Sequence, residues 1–181
     1  MRKITRAENA GFCFGVKQAI EKAEKAAADG EPGRIFSMGP LIHNERVTGD
    51  LEAKGIKIID SLDEAGEDDR VIIRSHGEGR AFYDEAGRSG VELIDATCPF
   101  VKKIHHLVYD TDKQVVIVGD SHHPEVMGIS GWCRKPAVIV SSYEEALEIE
   151  QDDLFVVTQT TIKESMLDDV LKGLRENGRV F

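Results

Sequence analysis

Short apolar runs rich in β-branched residues alternate along the chain with longer stretches whose apolar residues recur at helical spacing. The runs Arg34–Met38, Ile56–Ile59, Val71–Arg74, Val91–Ile94, Val115–Val118, Ala137–Val140 and Phe155–Val157 read as strands. Between them, Phe14–Ala28, Asn44–Lys54, Ala81–Ser89, Pro99–Tyr109, Pro124–Trp132, Tyr143–Ile149 and Glu164–Asn177 read as helices, several followed closely by glycine, as helix ends often are. Strand, helix, strand repeated in this way predicts an α/β fold in which small parallel sheets carry helices on both faces. The segment Asp95-Ala96-Thr97-Cys98-Pro99 ends one unit and starts the next. The expected division is therefore two similar α/β domains, 1–97 and 98–181. The acidic stretches 65–70 and 151–153 each precede a predicted strand and read as hydrated turns. Arg179-Val180-Phe181 reads as a strand just beginning, so the pattern stops in mid-unit.

Composition narrows the class. The chain has 181 residues, 41% of them hydrophobic, enough for a substantial core in one large or two small domains. Its 33 acidic against 23 basic side chains give a formal net charge of −10, a field that repels nucleic acid and anionic membranes. Any bound anion therefore needs a local pocket. No apolar run approaches a signal peptide or the roughly 20 residues of a membrane span, which predicts a cytoplasmic protein. Three widely separated cysteines in a reducing compartment argue against a disulfide framework and leave ligand or nucleophile roles open.

The chemistry-bearing residues concentrate where strands are expected to end. Cys13, in Gly11-Phe12-Cys13-Phe14-Gly15-Val16-Lys17, stands between an early extended segment and a long helix, where exposed N–H groups favour a thiolate. Cys98 has the same setting, with Pro99 at the first helical position. In parallel sheets such junctions lie at the carboxyl edge, so the two cysteines could meet there. A lone cysteine is more often a small buried hydrophobe, and Cys133 keeps that reading. His43-Asn44, His76-Gly77 and His122-His123-Pro124-Glu125 fall on the same edge, where imidazoles beside helix N-termini can donate hydrogen bonds to phosphate oxygens. Taken singly, each histidine reads as a solvated or capping residue, and His105-His106, in mid-helix, keep that reading. Glu125 suits either a dipole-complementing carboxylate or a buried proton donor. Thr158-Gln159-Thr160-Thr161 offers hydroxyl and amide groups at the next strand end. Zinc spacings, Walker loops and dinucleotide loops are missing from the sequence.

Taken together, Ala10-Gly11-Phe12-Cys13-Phe14-Gly15-Val16, Pro40-Leu41-Ile42-His43-Asn44, Arg74-Ser75-His76-Gly77, Asp95-Ala96-Thr97-Cys98-Pro99, His123-Pro124-Glu125-Val126 and Thr158-Gln159-Thr160-Thr161 closely resemble the 4-hydroxy-3-methylbut-2-enyl diphosphate reductases. The motifs stand in that family's order from Ala10 to Thr161. The resemblance implies a trefoil of three such domains around a [4Fe-4S] cluster held by three cysteines, of which Cys13 and Cys98 match two. It implies that His43, His76 and His123 surround the substrate diphosphate, that Glu125 relays protons, and that Thr160 and Gln159 sit near the substrate alcohol. The products implied are isopentenyl and dimethylallyl diphosphate, with electrons from a ferredoxin or flavodoxin. Cys133 does not match the third ligand, so the chain is expected to represent the first two of three domains, with apolar surface left open. The alternative is a noncatalytic module that binds diphosphates through its histidines without a cluster.

Overall fold

The computed structural model describes residues 4–5, 7–8, 10–31 and 33–181. Among the described residues, seven strands and seven α-helices follow one another, alternating except that only a 3-10 turn (Leu62–Glu64) separates β2 from β3: α1 (Phe14–Ala28), β1 (Ile35–Met38), α2 (Glu45–Ala53), β2 (Ile56–Ile59), β3 (Arg70–Ile73), α3 (Arg80–Ser89) and β4 (Glu92–Asp95) form the first half. The second half holds α4 (Pro99–Asp110), β5 (Gln114–Val118), α5 (Pro124–Ser130), β6 (Val138–Val140), α6 (Tyr143–Leu147), β7 (Leu154–Thr158) and α7 (Glu164–Glu176). Local chemistry sets several boundaries. Asn44 caps α2 by accepting from the Val47 N–H at 3.1 Å, and Pro99 and Pro124 open α4 and α5 where no amide proton is needed.

All strand pairs are parallel. One sheet runs β2-β1-β3-β4 and the other β6-β5-β7. Successive residues of the central strands alternate between two cores, which is why these runs are apolar throughout rather than at every second position. Ile72 packs with Ala19, Ala23 and Leu51 under α1 and α2, while Val71 packs with Phe36, Leu62 and Ala86 under α3. In the second sheet Val116 and Val118 face α6 and α7, whereas Val115 and Ile117 join Val108 of α4 and Ile129 of α5.

Three sequence expectations need correction. The 65–70 stretch is not wholly hydrated: Asp69 is buried and accepts from the Arg34 backbone and guanidinium and from the Gly66 N–H. The Arg34 hydrogen bond holds its carboxyl well below the usual range. His105, expected at the surface, is 3% exposed. Residues 179–181 form no strand; the Val180 carbonyl instead accepts from Leu154 N–H at 2.9 Å, and Arg179 is held by Asp152 at 2.7 Å. No described helix is long and apolar enough to cross a membrane.

Candidate active site

Because every strand within a sheet runs the same way, each sheet delivers its following loops to one edge, and the two edges meet at a cavity of about 200 Å³. Its walls include Cys13 and Gly15 at the start of α1, His43 after β1, and Ser75 and His76 after β3. Cys98 after β4, His123 and Glu125 after β5, and Thr160 and Thr161 after β7 complete them. Five strand ends thus supply one site.

Cys13 and Cys98 are the N-cap residues of α1 and α4, and both thiols are free. The two helix starts approach closely. A side chain on Gly15 would bring its Cβ to 2.6 Å from Cys98 Sγ, so glycine there keeps the space beside the second thiol open. Phe12, Phe14 and Phe100 flank the two cysteines and are exposed. Cys133 lies elsewhere, half-buried in the core under α4 and α5; its Sγ–H donates to Ile129 O, and burial pushes the thiol up to about 11.

The rings of His43 and His76 lie 4.7 Å apart, and those of His76 and His123 meet edge-on at 5.5 Å. One nitrogen from each of the three falls within 4.8 Å of the others, a spacing that could serve a cation or an anion. Hydrogen bonding favours the anion. The Glu125 N–H donates to His123 Nδ1 at 3.2 Å, so neutral His123 carries its proton on Nε2 and offers a donor there. His76 Nδ1 is buried without a partner among the described residues. Burial, and then the charges of His43, His123 and Arg74, hold the His76 pKa at about 4, so its ring is neutral at pH 7. An arriving anion would reverse that electrostatic bias.

Glu125 is 1% exposed: its side chain turns inward rather than into solvent at the helix start. Thr160 secures both carboxylate oxygens, its N–H donating at 2.6 Å and its hydroxyl at 2.9 Å. Glu125 and Thr160 therefore form one hydrogen-bonded unit on the cavity wall. Gln159 is buried beside it, but its side chain is occupied, accepting from Asp120 N–H at 3.2 Å and donating to Thr161 Oγ1 at 2.9 Å. It ties the two loops together and does not line the cavity. A separate hollow of about 220 Å³ between Tyr83, Asp95, Lys102, His105, His106 and Trp132 contains no thiol and shares no lining residue with this site.

Sequence reasoning did not single out Ser75 or Thr161, which also line the cavity. Both lie inside motifs that it did mark, and the signal available was their place one residue from His76 and Thr160.

Two small parallel sheets that aim paired thiols, clustered imidazoles and a buried carboxylate at one cavity define the class as an α/β protein with its polar groups gathered at the strand ends. The family model described as "LytB protein" matches residues 4–180, and the chain belongs to that family. A 4-hydroxy-3-methylbut-2-enyl diphosphate reductase of Thermoanaerobacter pseudethanolicus is 45% identical over 179 residues, covering 96% of this chain and 62% of that protein. A reductase of the same name from Geobacter sulfurreducens is 42% identical, covering 99% and 65%. Among solved structures, one of (E)-4-hydroxy-3-methyl-but-2-enyl diphosphate reductase, described as the terminal enzyme of the non-mevalonate pathway, matches with a TM-score of 0.81 at 36% identity, over 94% of this chain and 62% of that one. A corresponding reductase from Plasmodium falciparum gives 0.88 at 26% identity, over 94% and 55%. The chain thus spans a little over three-fifths of the length of the curated relatives it matches.

Proposed function

We propose that this chain provides the substrate pocket and two cluster ligands of a 4-hydroxy-3-methylbut-2-enyl diphosphate reductase, acting in the cytoplasm. The observation that carries the reading is the convergence of Cys13, Cys98, His43, His76, His123, Glu125 and Thr160 on one cavity. The donor set suits an iron-sulfur group: two free thiols sit at helix N-termini, beside space that a Gly15 side chain would fill. Cys13 and Cys98 would hold a [4Fe-4S] cluster, which when bound supplies single electrons and an iron able to act as a Lewis acid.

The protein's own groups bind and orient. His43, His76 and His123 donate hydrogen bonds to the diphosphate and place the allylic end toward the thiols. Thr160 and Glu125 hold a proton at the substrate hydroxyl, which must leave as water when two electrons and two protons are taken up. Burial of Glu125 keeps bulk water from competing for that proton. Isopentenyl and dimethylallyl diphosphate are the products of this reading, and a ferredoxin or flavodoxin the external electron source. The two sheets with their helices are read as two domains, 1–97 and 98–181, of the trefoil, with the substrate site between them.

The test is anaerobic reconstitution followed by iron and sulfide analysis and electron paramagnetic resonance, on the wild-type chain and on Cys13→Ala and Cys98→Ala. An iron-sulfur signal lost in either variant is the expected result. Iron retained equally by both variants would reject the ligand assignment.

A further inference from the structure

The turn that presents His76 is held from behind by the other half of the molecule. At Gly77, φ is +76°, and a Cβ would come within 2.7 Å of His105 Cε1 and 2.9 Å of Thr97 Cγ2, so this position requires glycine on both counts. His105 in turn stacks on Trp132, with ring centroids 5.4 Å apart and planes 18° from parallel. The Trp132 indole N–H donates to Glu78 O at 2.9 Å, and the Arg80 N–H donates to Gly131 O at 3.3 Å. Gly131 and Gly79 touch backbone to backbone: a Cβ on Gly131 would lie 2.7 Å from Gly79 Cα.

Helix α5 links this contact to the site. His123 and Glu125 stand at its start, while Gly131 is its C-cap and Trp132 follows. The seven-residue helix therefore carries cavity groups at one end and grips the 76–80 turn at the other. The ring centroids of His76 and His123, one on each side of this contact, lie 5.5 Å apart.

We propose that Trp132, with Gly131 and His105, is a positioning latch that fixes the spacing of His76 from His123 and so tunes the pocket for a diphosphate. The inference rests on the diphosphate reading given above. None of the three residues lines the cavity, so they act through His76 and not by touching the ligand.

Gly131→Ala acts on the latch through one contact: alanine adopts the right-handed backbone there, φ −67° and ψ −12°, but its Cβ would lie 2.7 Å from Gly79 Cα, so the two turns must part. Only the contact with Gly79 must give. Trp132→Phe is the second variant: it keeps a ring against His105 and removes the donor to Glu78. Inorganic pyrophosphate is titrated calorimetrically into the wild-type chain and both variants, and the imidazole signals of His76 are followed by NMR, with exposed His122 as internal reference. The expected result is about tenfold weaker pyrophosphate binding by Gly131→Ala, the scale of loss that follows a sub-ångström misplacement of a binding group, together with shifted His76 signals and a lowered but still cooperative urea transition. If either affinity or the His76 signals stay at wild-type values in both variants, the latch is overturned. If the wild-type chain binds no pyrophosphate, the diphosphate reading fails on that result alone. The latch is then decided by the His76 signals, which support it if they move and overturn it if they do not.

Discussion

Gly15→Ala should separate thiol placement from fold stability. The added methyl would lie 2.6 Å from Cys98 Sγ and 3.2 Å from Cys98 Cβ, about 0.8 Å inside the 3.4 Å at which ordinary contact begins for the sulfur. Turning the side chain does not move Cys98 Cβ, which at 3.2 Å must give by a few tenths of an ångström, while Cys98 Cα, at 3.9 Å, is in ordinary contact. Relief comes from turning the Cys98 side chain, at a cost on the order of 0.5–1.5 kcal/mol if it leaves its rotamer. Against this, alanine is favoured over glycine in a helix by about 1 kcal/mol, and Gly15 is the second residue of α1. The two effects nearly cancel, so the urea midpoint should shift by less than about 1 kcal/mol equivalent. The thiol, however, now points away from the cavity. Disturbing the surroundings of a metal ligand typically costs 10–100-fold in affinity, so reconstituted iron should fall by about tenfold in a competitive chelator titration. Wild-type iron retention with an unchanged midpoint would refute the claim that Gly15 keeps space beside Cys98. A loss of several kcal/mol would refute the claim that turning the side chain relieves most of the contact.

Two further outcomes follow from the same structure. Ile117 is fully buried at the centre of the second sheet, so Ile117→Ala should cost about 2–5 kcal/mol in urea unfolding; a loss under about 1 kcal/mol would mean that this core collapses around the gap. Burial holds the His105 pKa at about 4, against 6.5 for the free side chain, so between these values the folded state binds fewer protons than the unfolded one. Its contribution to stability is therefore lost as pH falls through 6.5 toward 4, by about 2 kcal/mol at pH 5. His105→Phe, which keeps a ring against Trp132, should lose less stability than wild type between pH 7.5 and pH 5; an equal loss would place the proton uptake elsewhere.

Much of the site could be read before the fold was known. Cys13, Cys98, His43, His76, His123, Glu125 and Thr160 all follow predicted strands or open predicted helices, and parallel topology sends such positions to one edge. What sequence left open was decided by contacts between distant segments. Glu125 has the signature of an ordinary first-turn carboxylate, and only the approach of Thr160, 35 residues on, makes it a buried hydrogen-bonded group. Gln159 stands inside a marked motif, yet Asp120 and Thr161 claim its side chain.

By itself the sequence determined the seven strands, the seven helices and their alternation, because hydrophobic period, proline placement and capping residues act within a few positions of one another. It also determined which chemistry would stand at the carboxyl edges. Only the tertiary structure decided that the edges of two separate sheets face one cavity, that His105 leaves solvent to stack on Trp132, and that Asp69 is buried against Arg34. Each of these depends on packing between residues far apart in the chain, and burial, which sets whether a charged or aromatic group meets water, belongs to the assembled surfaces and not to any local run of residues.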